Sequence, residues 1–200
     1  MNRSFFSRPV EVVARELLGC YLVREEADGV VGGRIVETEA YGGPGDPGSH
    51  ADRAPNGRAR IMFGPAGVVY VYFTYGMHHC MNVVTGGQGT ASAVLLRALE
   101  PEWGIERMRR EAPEGLADHL VASGPGRICR ALGVDRTLNG ADLSAGPLRI
   151  LRRRGRRSDS LEGIRVGLSA DDERHWRFWV PGPCVSRAPG SRSRGRRATR

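Results

Sequence analysis

Arg34-Ile-Val-Glu-Thr-Glu-Ala-Tyr41 is a strand-like stretch in which acidic and aromatic residues recur at every second position. Glu37, Glu39 and Tyr41 share one face of such a strand, because successive side chains point to opposite faces. A carboxylate beside an aromatic wall can act as a general base that also grips a flat substrate. The alternative is a strand whose polar face meets water, and these residues alone favour that alternative.

The length and composition of the chain indicate one globular domain, alone or with a tail. Its 200 residues are enough to bury a core, and 40% of them are hydrophobic. No apolar run is long enough to span a membrane, and the N-terminus lacks the order of a signal peptide. The cysteines are widely spaced, which argues against a structural zinc site and for reduced thiols in a cytoplasm. They are Cys20, Cys80, Cys129 and Cys184.

The positive charge of the chain points to a nucleic-acid partner. The net charge is +8, and all 30 basic residues are arginine. The planar guanidinium suits phosphate oxygens and stacks on bases. High-GC coding bias is the alternative cause of the missing lysines, but the chemical consequence is the same. Without a lysine amine, the chain cannot form a lysine Schiff base, hold pyridoxal phosphate or build a Walker phosphate loop.

The first part of the chain predicts a helix followed by a β-hairpin. Apolar positions of residues 7–19 fall on one helical face, with Ser7 as the N-cap and Gly19 ending the helix. Strands are predicted over residues 20–26 and 30–40, joined by a turn at 27–29.

Residues 42–67 predict a long loop, because glycine, proline, asparagine and arginine dominate them. Loops of this length inside compact domains are usually functional, and this one contains His50. Further on, His78, His79 and Cys80 are adjacent in a predicted strand. Adjacent strand residues point to opposite faces, so the three cannot ligate one metal ion together, and we predict no metal site.

A second hairpin is predicted from strands over residues 68–75 and 78–84, with Gly76 at the first central position of a two-residue turn. Tyr75 and Met77 then lie at its exposed tip. Apolar wedges at such tips can push between stacked base pairs from the minor groove. The alternative is a hairpin tip that caps the hydrophobic core, which is the commoner role.

The second half of the chain predicts more strands, short helices and a basic tail. Arg97 is a charged residue near the end of an otherwise apolar, buried strand. Pro101 is predicted to start the helix that follows. Glycine and serine among the arginines after residue 186 predict disorder. Strands are predicted over residues 93–99, 148–151, 164–168 and 176–180, helices over 101–111 and 127–132, and a basic loop over 152–157.

Tyrosines supply a candidate binding slot. Tyr72 lies on the opposite strand face from Val71 and Phe73, and together with Tyr41 it could form two walls for a planar ring. The alternative, two tyrosines in a sheet core with satisfied hydroxyls, is about equally compatible with the sequence. Residues 123–127 additionally have the glycine-rich pattern of an anion-binding helix start.

Taken together, several separate blocks resemble the alkyladenine DNA glycosylases, also called 3-methyladenine DNA glycosylases. The resemblance covers roughly residues 5–186, and the blocks keep their order and compatible spacing. They are residues 14–19, 35–41, 64–65, 70–72, 75–77, 80–82, 94–101, 123–125 and 165–167.

The resemblance implies catalytic roles for three positions. Glu39 resembles the family's general base, which activates the water that attacks C1′ of a flipped nucleotide. Arg97 and the backbone carbonyl of Val166 resemble the groups that hold this water. Glu37 has no comparable role in the family and is interpreted as structural.

The resemblance also implies a base pocket and a DNA wedge. Tyr41, His50 and Tyr72 resemble the pocket walls, and Asn82 resembles the residue that crowds the exocyclic amine of normal guanine. The intercalating residues implied are Tyr75, which fills the gap left by the flipped nucleotide, and Met77.

The expectation is therefore a single α/β (α+β) domain with a curved antiparallel β-sheet, a protruding β-hairpin and flanking helices. Residues 1–186 are expected to form the glycosylase domain, and 187–200 a basic, disordered tail. The implied protein is a cofactor-free monomer in the bacterial cytoplasm, at the nucleoid, that excises damaged purines from double-stranded DNA. Since only the N-terminal amine could act as an amine nucleophile, we expect no strand cleavage. The alternatives are a non-catalytic lesion- or RNA-binding module and a formyltransferase-like domain, neither of which needs an acid at Glu39.

Overall fold

The computed structural model describes residues 1–53, 56–74, 77–153, 155, 159–168, 173–186 and 196–197. An antiparallel sheet is its main element. The strands are β1 Tyr21–Glu26, β2 Gly29–Tyr41, β3 Val69–Thr74, β4 His78–Val84, β5 Ala93–Trp103, β6 Leu148–Leu151, β7 Leu161–Gly163, β8 Arg177–Trp179 and β9 Arg196–Arg197.

Strand β2 is the centre of the sheet. One edge of β2 pairs with β5, while its other edge pairs first with β1 and then with β8. The longest path through the sheet runs β3-β4-β5-β2-β8-β7-β9, and β6 joins through β1. The single domain with a curved antiparallel sheet expected from the sequence is therefore confirmed.

The β2–β5 pairing is irregular at the carboxylates. Its register shifts between Ile35 and Glu37 and again between Glu37 and Thr38, where the β5 partner changes from Ala98 to Leu96. The second shift leaves Arg97 as the extra residue of β5. Bulges bend a strand and change the direction of a side chain, so this irregularity curves the sheet and sets the direction of Arg97.

Helices cover one face of the sheet. Helix α2 packs on β2 with its buried Val13, Ala14 and Leu17, and the Thr38 hydroxyl donates a hydrogen bond to the Ala14 carbonyl at 2.9 Å. The helices are α1 Arg3–Phe6, α2 Val10–Leu17, α3 His50–Arg53, α4 Ile105–Arg110 and α5 Pro125–Ala131, with 3₁₀ helices Arg58–Phe63, Asp118–Leu120 and Arg136–Leu138.

The N-terminal helix differs from the prediction. Ser7 is not its N-cap but follows α1, and α2 begins after Pro9. Proline fixes φ at a value suited to a helix start, which explains the later beginning. Gly19, at φ +80°, follows the helix end as expected. The predicted loop over 42–67 also contains the short helix α3 and a 3₁₀ helix.

Two later predictions are wrong. Pro101 does not start a helix; it lies in β5 opposite Gly33 at a register shift, where a missing N–H is tolerated, and the helix begins at Ile105. Residues 164–168 are not a strand but a loop after β7. In this loop the Arg165 guanidinium binds Asp46 and the Ala40 carbonyl, which ties the segment to another part of the chain.

The hairpin β3–β4 is confirmed, but its connection is longer than predicted. Thr74 pairs with His78, so residues 75–77 connect the strands, and Tyr75 and Gly76 lie outside the described residues. In the tail, Arg196–Arg197 pairs with β7, while 187–195 and 198–200 lie outside the described residues. The domain boundary and the disorder of the tail stay predictions. Among the described residues, none of the helices has the length and hydropathy needed to cross a membrane.

Candidate active site

A cavity of about 270 Å³ lies on the sheet face opposite α2. Strands β2 to β5, the start of α5, the loop after Tyr41 and the loop after β7 together form its walls. The predicted residues that line it are Tyr41, His50, Tyr72, Asn82, Arg97 and Val166, and further lining residues include Tyr70, Cys80, Leu95 and Pro125.

Glu39 lies directly behind this lining. Its side chain has 0% exposure, and three lining residues donate hydrogen bonds to it. The Tyr41 hydroxyl and Arg97 Nη1 donate to Oε2 at 2.8 and 3.2 Å, and the Val166 N–H donates to Oε1 at 2.7 Å. A carboxylate offers about four acceptor positions. Among the described residues these donors fill three of the positions, which leaves one acceptor position for a further partner such as a water molecule.

Tyr41 is both a wall and a hydrogen-bond donor. Burial, and then the nearby Glu39 carboxylate, hold the pKa of the Tyr41 hydroxyl well above its usual value, so it stays protonated and donates to Glu39. Behind the ring, the Arg165 guanidinium lies 4.6 Å from its centroid. Arg165 is in turn ion-paired with Asp46 at 2.6 Å.

Arg97 joins the two carboxylates of β2. Its Nε donates to Glu37 at 2.9 Å while Nη1 contacts Glu39. Burial alone would lower the pKa of Arg97, but the Glu39 and Glu37 charges reverse this and raise it. The expectation that Glu37 and Glu39 share a face is confirmed, since one guanidinium reaches both.

Aromatic rings build the opposite part of the cavity. The His50 and Tyr72 ring centroids are 4.6 Å apart at 82°, and His50 Nδ1 lies 3.0 Å from the Tyr70 hydroxyl. Burial raises the pKa of Tyr70 to about 12 and also raises the pKa of Tyr72. Both hydroxyls therefore remain neutral, which leaves uncharged aromatic faces for a planar ligand.

Asn82 and Cys80 come from β4. The Asn82 amide donates to the Tyr70 carbonyl at 3.2 Å, which fixes its orientation beside the cavity. The Cys80 thiol is hydrogen-bonded to Tyr72, and burial raises its pKa. The thiol therefore stays protonated and behaves as a small, weakly polar wall.

Met77 of the predicted wedge does not line this cavity, although Thr74 of the same hairpin does. Met77 is 67% exposed at the end of the hairpin, and Tyr75 lies outside the described residues. The neighbouring His79 ring packs against Phe73 with 5.0 Å between centroids. Among the described residues no group of histidine, cysteine and acidic side chains is arranged to hold a metal ion.

Size alone does not identify the site. A larger cavity of about 470 Å³ lies among residues of α1, α2 and the segment after β6. Its acid is Glu16, which is half-buried and ion-paired with Arg8 at 2.9 Å. That cavity lacks the stacked aromatic walls and the fully buried carboxylate of the first one.

Comparison with known proteins agrees with the geometry. The model of the methylpurine-DNA glycosylase family matches residues 4–184. The chain belongs to this family. It is accordingly a DNA glycosylase, a hydrolase acting on N-glycosyl bonds. Family membership speaks against both alternatives, the binding module and the formyltransferase-like domain.

Individual relatives of this glycosylase cover nearly its whole length. A protein of Streptomyces avermitilis is 50% identical, over 93% of this chain and 90% of the relative. One from Carboxydothermus hydrogenoformans is 43% identical over 90% and 94%, and one from Anaeromyxobacter is 46% identical over 98% of each chain. All three carry the name "Putative 3-methyladenine DNA glycosylase".

The sequence analysis missed several residues around this candidate site. No local pattern singles out Asp46 inside the long loop over residues 42–67, and Arg165 is indicated only as part of a block that resembles the family. The sequence predicts disorder immediately after Ser186 and gives this residue no role, although Ser186 binds Glu37 and Arg97. Its role depends on a contact between residues 149 positions apart, which no local pattern reveals.

Proposed function

We propose that this protein flips damaged purines out of duplex DNA and hydrolyses their N-glycosidic bond with a water activated by Glu39. The observation that carries the proposal is a fully buried carboxylate, held by three donors, behind a cavity with aromatic walls. Such a group is already desolvated and oriented before the substrate arrives.

The carboxylate has two tasks in this chemistry. Its remaining acceptor position takes a proton from water, and its charge stabilises the oxocarbenium-like transition state at C1′. Arg97 and the Tyr41 hydroxyl keep the acceptor atoms in place. The Val166 N–H binds Glu39, and we place the Val166 carbonyl near the same water.

The aromatic walls select the base. Tyr41 and Tyr72 offer neutral faces on which a purine stacks, and a cationic alkylated purine is attracted further by the ring quadrupoles. Asn82, held by the Tyr70 carbonyl, crowds the part of the pocket where guanine would carry its exocyclic amine. Damaged or mispaired bases also cost less to unstack, which adds selectivity before the pocket is reached.

DNA is engaged by the hairpin and by arginine. The exposed Met77, two positions after Tyr75 in the sequence, suits insertion between base pairs once a nucleotide has left the stack. The net charge of +8 favours phosphate contacts. We propose that the protein acts as a monomer on double-stranded DNA, in the cytoplasm at the nucleoid, and without a cofactor.

The product is an abasic site in an unbroken strand. Strand cleavage by a glycosylase requires an amine that forms a Schiff base with the sugar, and the sequence contains no lysine. The water held by Glu39 therefore completes the reaction.

The test is incubation with duplexes that each carry one defined lesion: 3-methyladenine, 7-methylguanine, hypoxanthine or ethenoadenine. Free base and strand breaks are scored separately, with an undamaged duplex as the control. We expect free base from at least one lesion and an unbroken strand until alkali is added. Tight binding without free base would instead indicate a lesion-binding module, and breaks without alkali would contradict the water mechanism.

A further inference from the structure

We infer that Glu37 is a positioning residue: it fixes the Arg97 guanidinium against Glu39 and fastens the segment ending at Ser186 to the catalytic centre. This inference rests on the proposed function, because it assigns how the base Glu39 is held. Glu37 itself does not line the cavity, so its action passes through Arg97.

Glu37 is fully buried and accepts three hydrogen bonds. Its side chain has 0% exposure, Oε1 accepts from Arg97 Nε at 2.9 Å and Arg177 Nε at 2.7 Å, and Oε2 accepts from the Ser186 N–H at 2.7 Å. Removing a carboxylate from water is costly, and only such charge-assisted bonds compensate. A residue with only a packing role in this position would be apolar.

The guanidinium of Arg97 transmits the position of Glu37 to Glu39. Because the group is planar and rigid, the bond from Nε to Glu37 restricts the direction in which Nη1 meets Glu39 at 3.2 Å. Ser186 Oγ accepts from the remaining nitrogen, Nη2, at 3.1 Å. Each of the three guanidinium nitrogens of Arg97 therefore has a hydrogen-bond partner, and the contact with Glu39 is one of these three bonds.

Ser186, the last residue of the described segment 173–186, contacts the same charged side chains. Its N–H binds Glu37, its Oγ binds Arg97, and its carbonyl accepts from Arg177 Nη2 at 3.2 Å. The carboxylates of Glu37 and Glu39 balance the guanidiniums of Arg97 and Arg177. Removing the Glu37 charge leaves two cations facing one anion, so Arg97 is expected to shift relative to Glu39.

Glu37→Gln tests this inference through single-turnover base release and the dissociation constant for lesion duplex. A displacement near 1 Å can cost about 100-fold in rate, so we expect a loss of roughly 10- to 100-fold. The dissociation constant should stay within about threefold, because Glu37 does not itself line the cavity. An unchanged rate of base release would overturn the inference.

Glu162→Gln is the matched control. Glu162 is similarly buried but pairs with Arg15 at 2.8 Å, toward α2 and away from Arg97. It should lose thermal stability while its excision rate, measured below the unfolding transition, stays within about threefold. An equal loss of rate in both variants would show that Glu37 is only structural.

A double-variant cycle separates positioning from a general effect. If Glu37 acts through Arg97 on Glu39, adding Glu37→Gln to Glu39→Gln should change the residual rate by less than about threefold. If the rate of the double variant instead fell by the product of the two single-variant losses, the two residues would act independently and the inference would be overturned. If Glu39→Gln alone excised normally, the proposed function would fail instead, so the two failures are distinguishable.

Ser186→Ala keeps the inference testable if Glu37→Gln does not fold. It removes only the Oγ acceptor of Arg97 and leaves the backbone bonds to Glu37 and Arg177. We expect a loss of about threefold to tenfold in the single-turnover rate, with lesion affinity retained. A wild-type rate in this folded variant would count against the role of Ser186.

Discussion

The two faces of the central sheet are both buried but differ in what they bury. Toward α2 and α5 the buried side chains are mainly apolar, as with Leu96 in β5. On the other face the adjacent Arg97 meets Glu37 and Glu39. Burial therefore does not distinguish a core from an active site. The distinguishing property is a network of buried charges that borders a cavity and leaves one acceptor position open.

The difference also explains how the fold remains stable although it buries several charged side chains, whose removal from water is unfavourable. The apolar face supplies the hydrophobic stabilisation, since each fully buried leucine contributes roughly 1.5–3 kcal/mol. The charged face contributes little net stability even when every ion is paired. Substitutions on the apolar face should therefore lower mainly the free energy of unfolding, and substitutions on the charged face should lower mainly the rate of base excision.

Glu39→Gln should have the largest effect on the reaction. The amide keeps the shape of the side chain but cannot remove a proton from water, so base release should slow by roughly 10²- to 10⁴-fold. Binding to lesion duplex should persist. Single-turnover excision and an electrophoretic binding assay measure the two quantities. Normal excision by this variant would disprove the role of Glu39.

Leu96→Ala should give the opposite result on the other face. Leu96 is fully buried in the core, and such truncations cost about 2–5 kcal/mol in the free energy of unfolding. Chemical denaturation measures this loss. At a temperature where the variant is folded, the excision rate should match that of the wild type. A fall in rate comparable to that of Glu39→Gln would show that the two faces are coupled.

The sequence predicted much of this arrangement, because several signals are local. Alternation in β2 placed Glu37, Glu39 and Tyr41 on one face, and the aromatic run of β3 predicted a hairpin that the structure confirms. Side-chain alternation in a strand depends only on neighbouring residues, so these predictions did not need the rest of the fold.

The remaining features depend on contacts that are distant in sequence. The bulge that aims Arg97 at the carboxylates arises where β5 and β2 change register. Residues 164–168 have strand composition, yet Arg165 is fixed by Asp46, 119 positions away. The resemblance to a family supplied residue roles, but neither it nor local pattern indicated how the ions are connected.

Tyr41→Phe should have an intermediate effect on the charged face. It keeps the ring but removes the donor 2.8 Å from Glu39, and a hydrogen bond to a charged group contributes about 1.5 kcal/mol, or about tenfold in rate. Tyr72→Phe is the matched control, because its hydroxyl binds the Cys80 thiol instead. If both variants lost rate equally, the hydroxyl of Tyr41 would have no special role in holding the base.

Asp46→Asn should have the smallest effect on the reaction and a pH-dependent effect on stability. Burial alone would raise the pKa of Asp46, but hydrogen bonds from Arg165 and the Gly42 N–H lower it below the ordinary 3.8. A carboxyl group with a lowered folded-state pKa stabilises the fold above its unfolded pKa, and this contribution is lost as the pH falls through the folded value.

The free energy of unfolding of Asp46→Asn should therefore be lower than that of the wild type at pH 7, and the difference should shrink below about pH 4. Urea titrations at a series of pH values measure it. Asp118→Asn removes a surface partner of Arg109, so it should cost less, and the cost should vanish in high salt. Because Asp46 fixes Arg165 behind the Tyr41 ring without touching Glu39, excision at pH 7 should change little. A pH-independent loss of stability would show that the Asp46 charge is not what holds the loop after Tyr41 against the sheet.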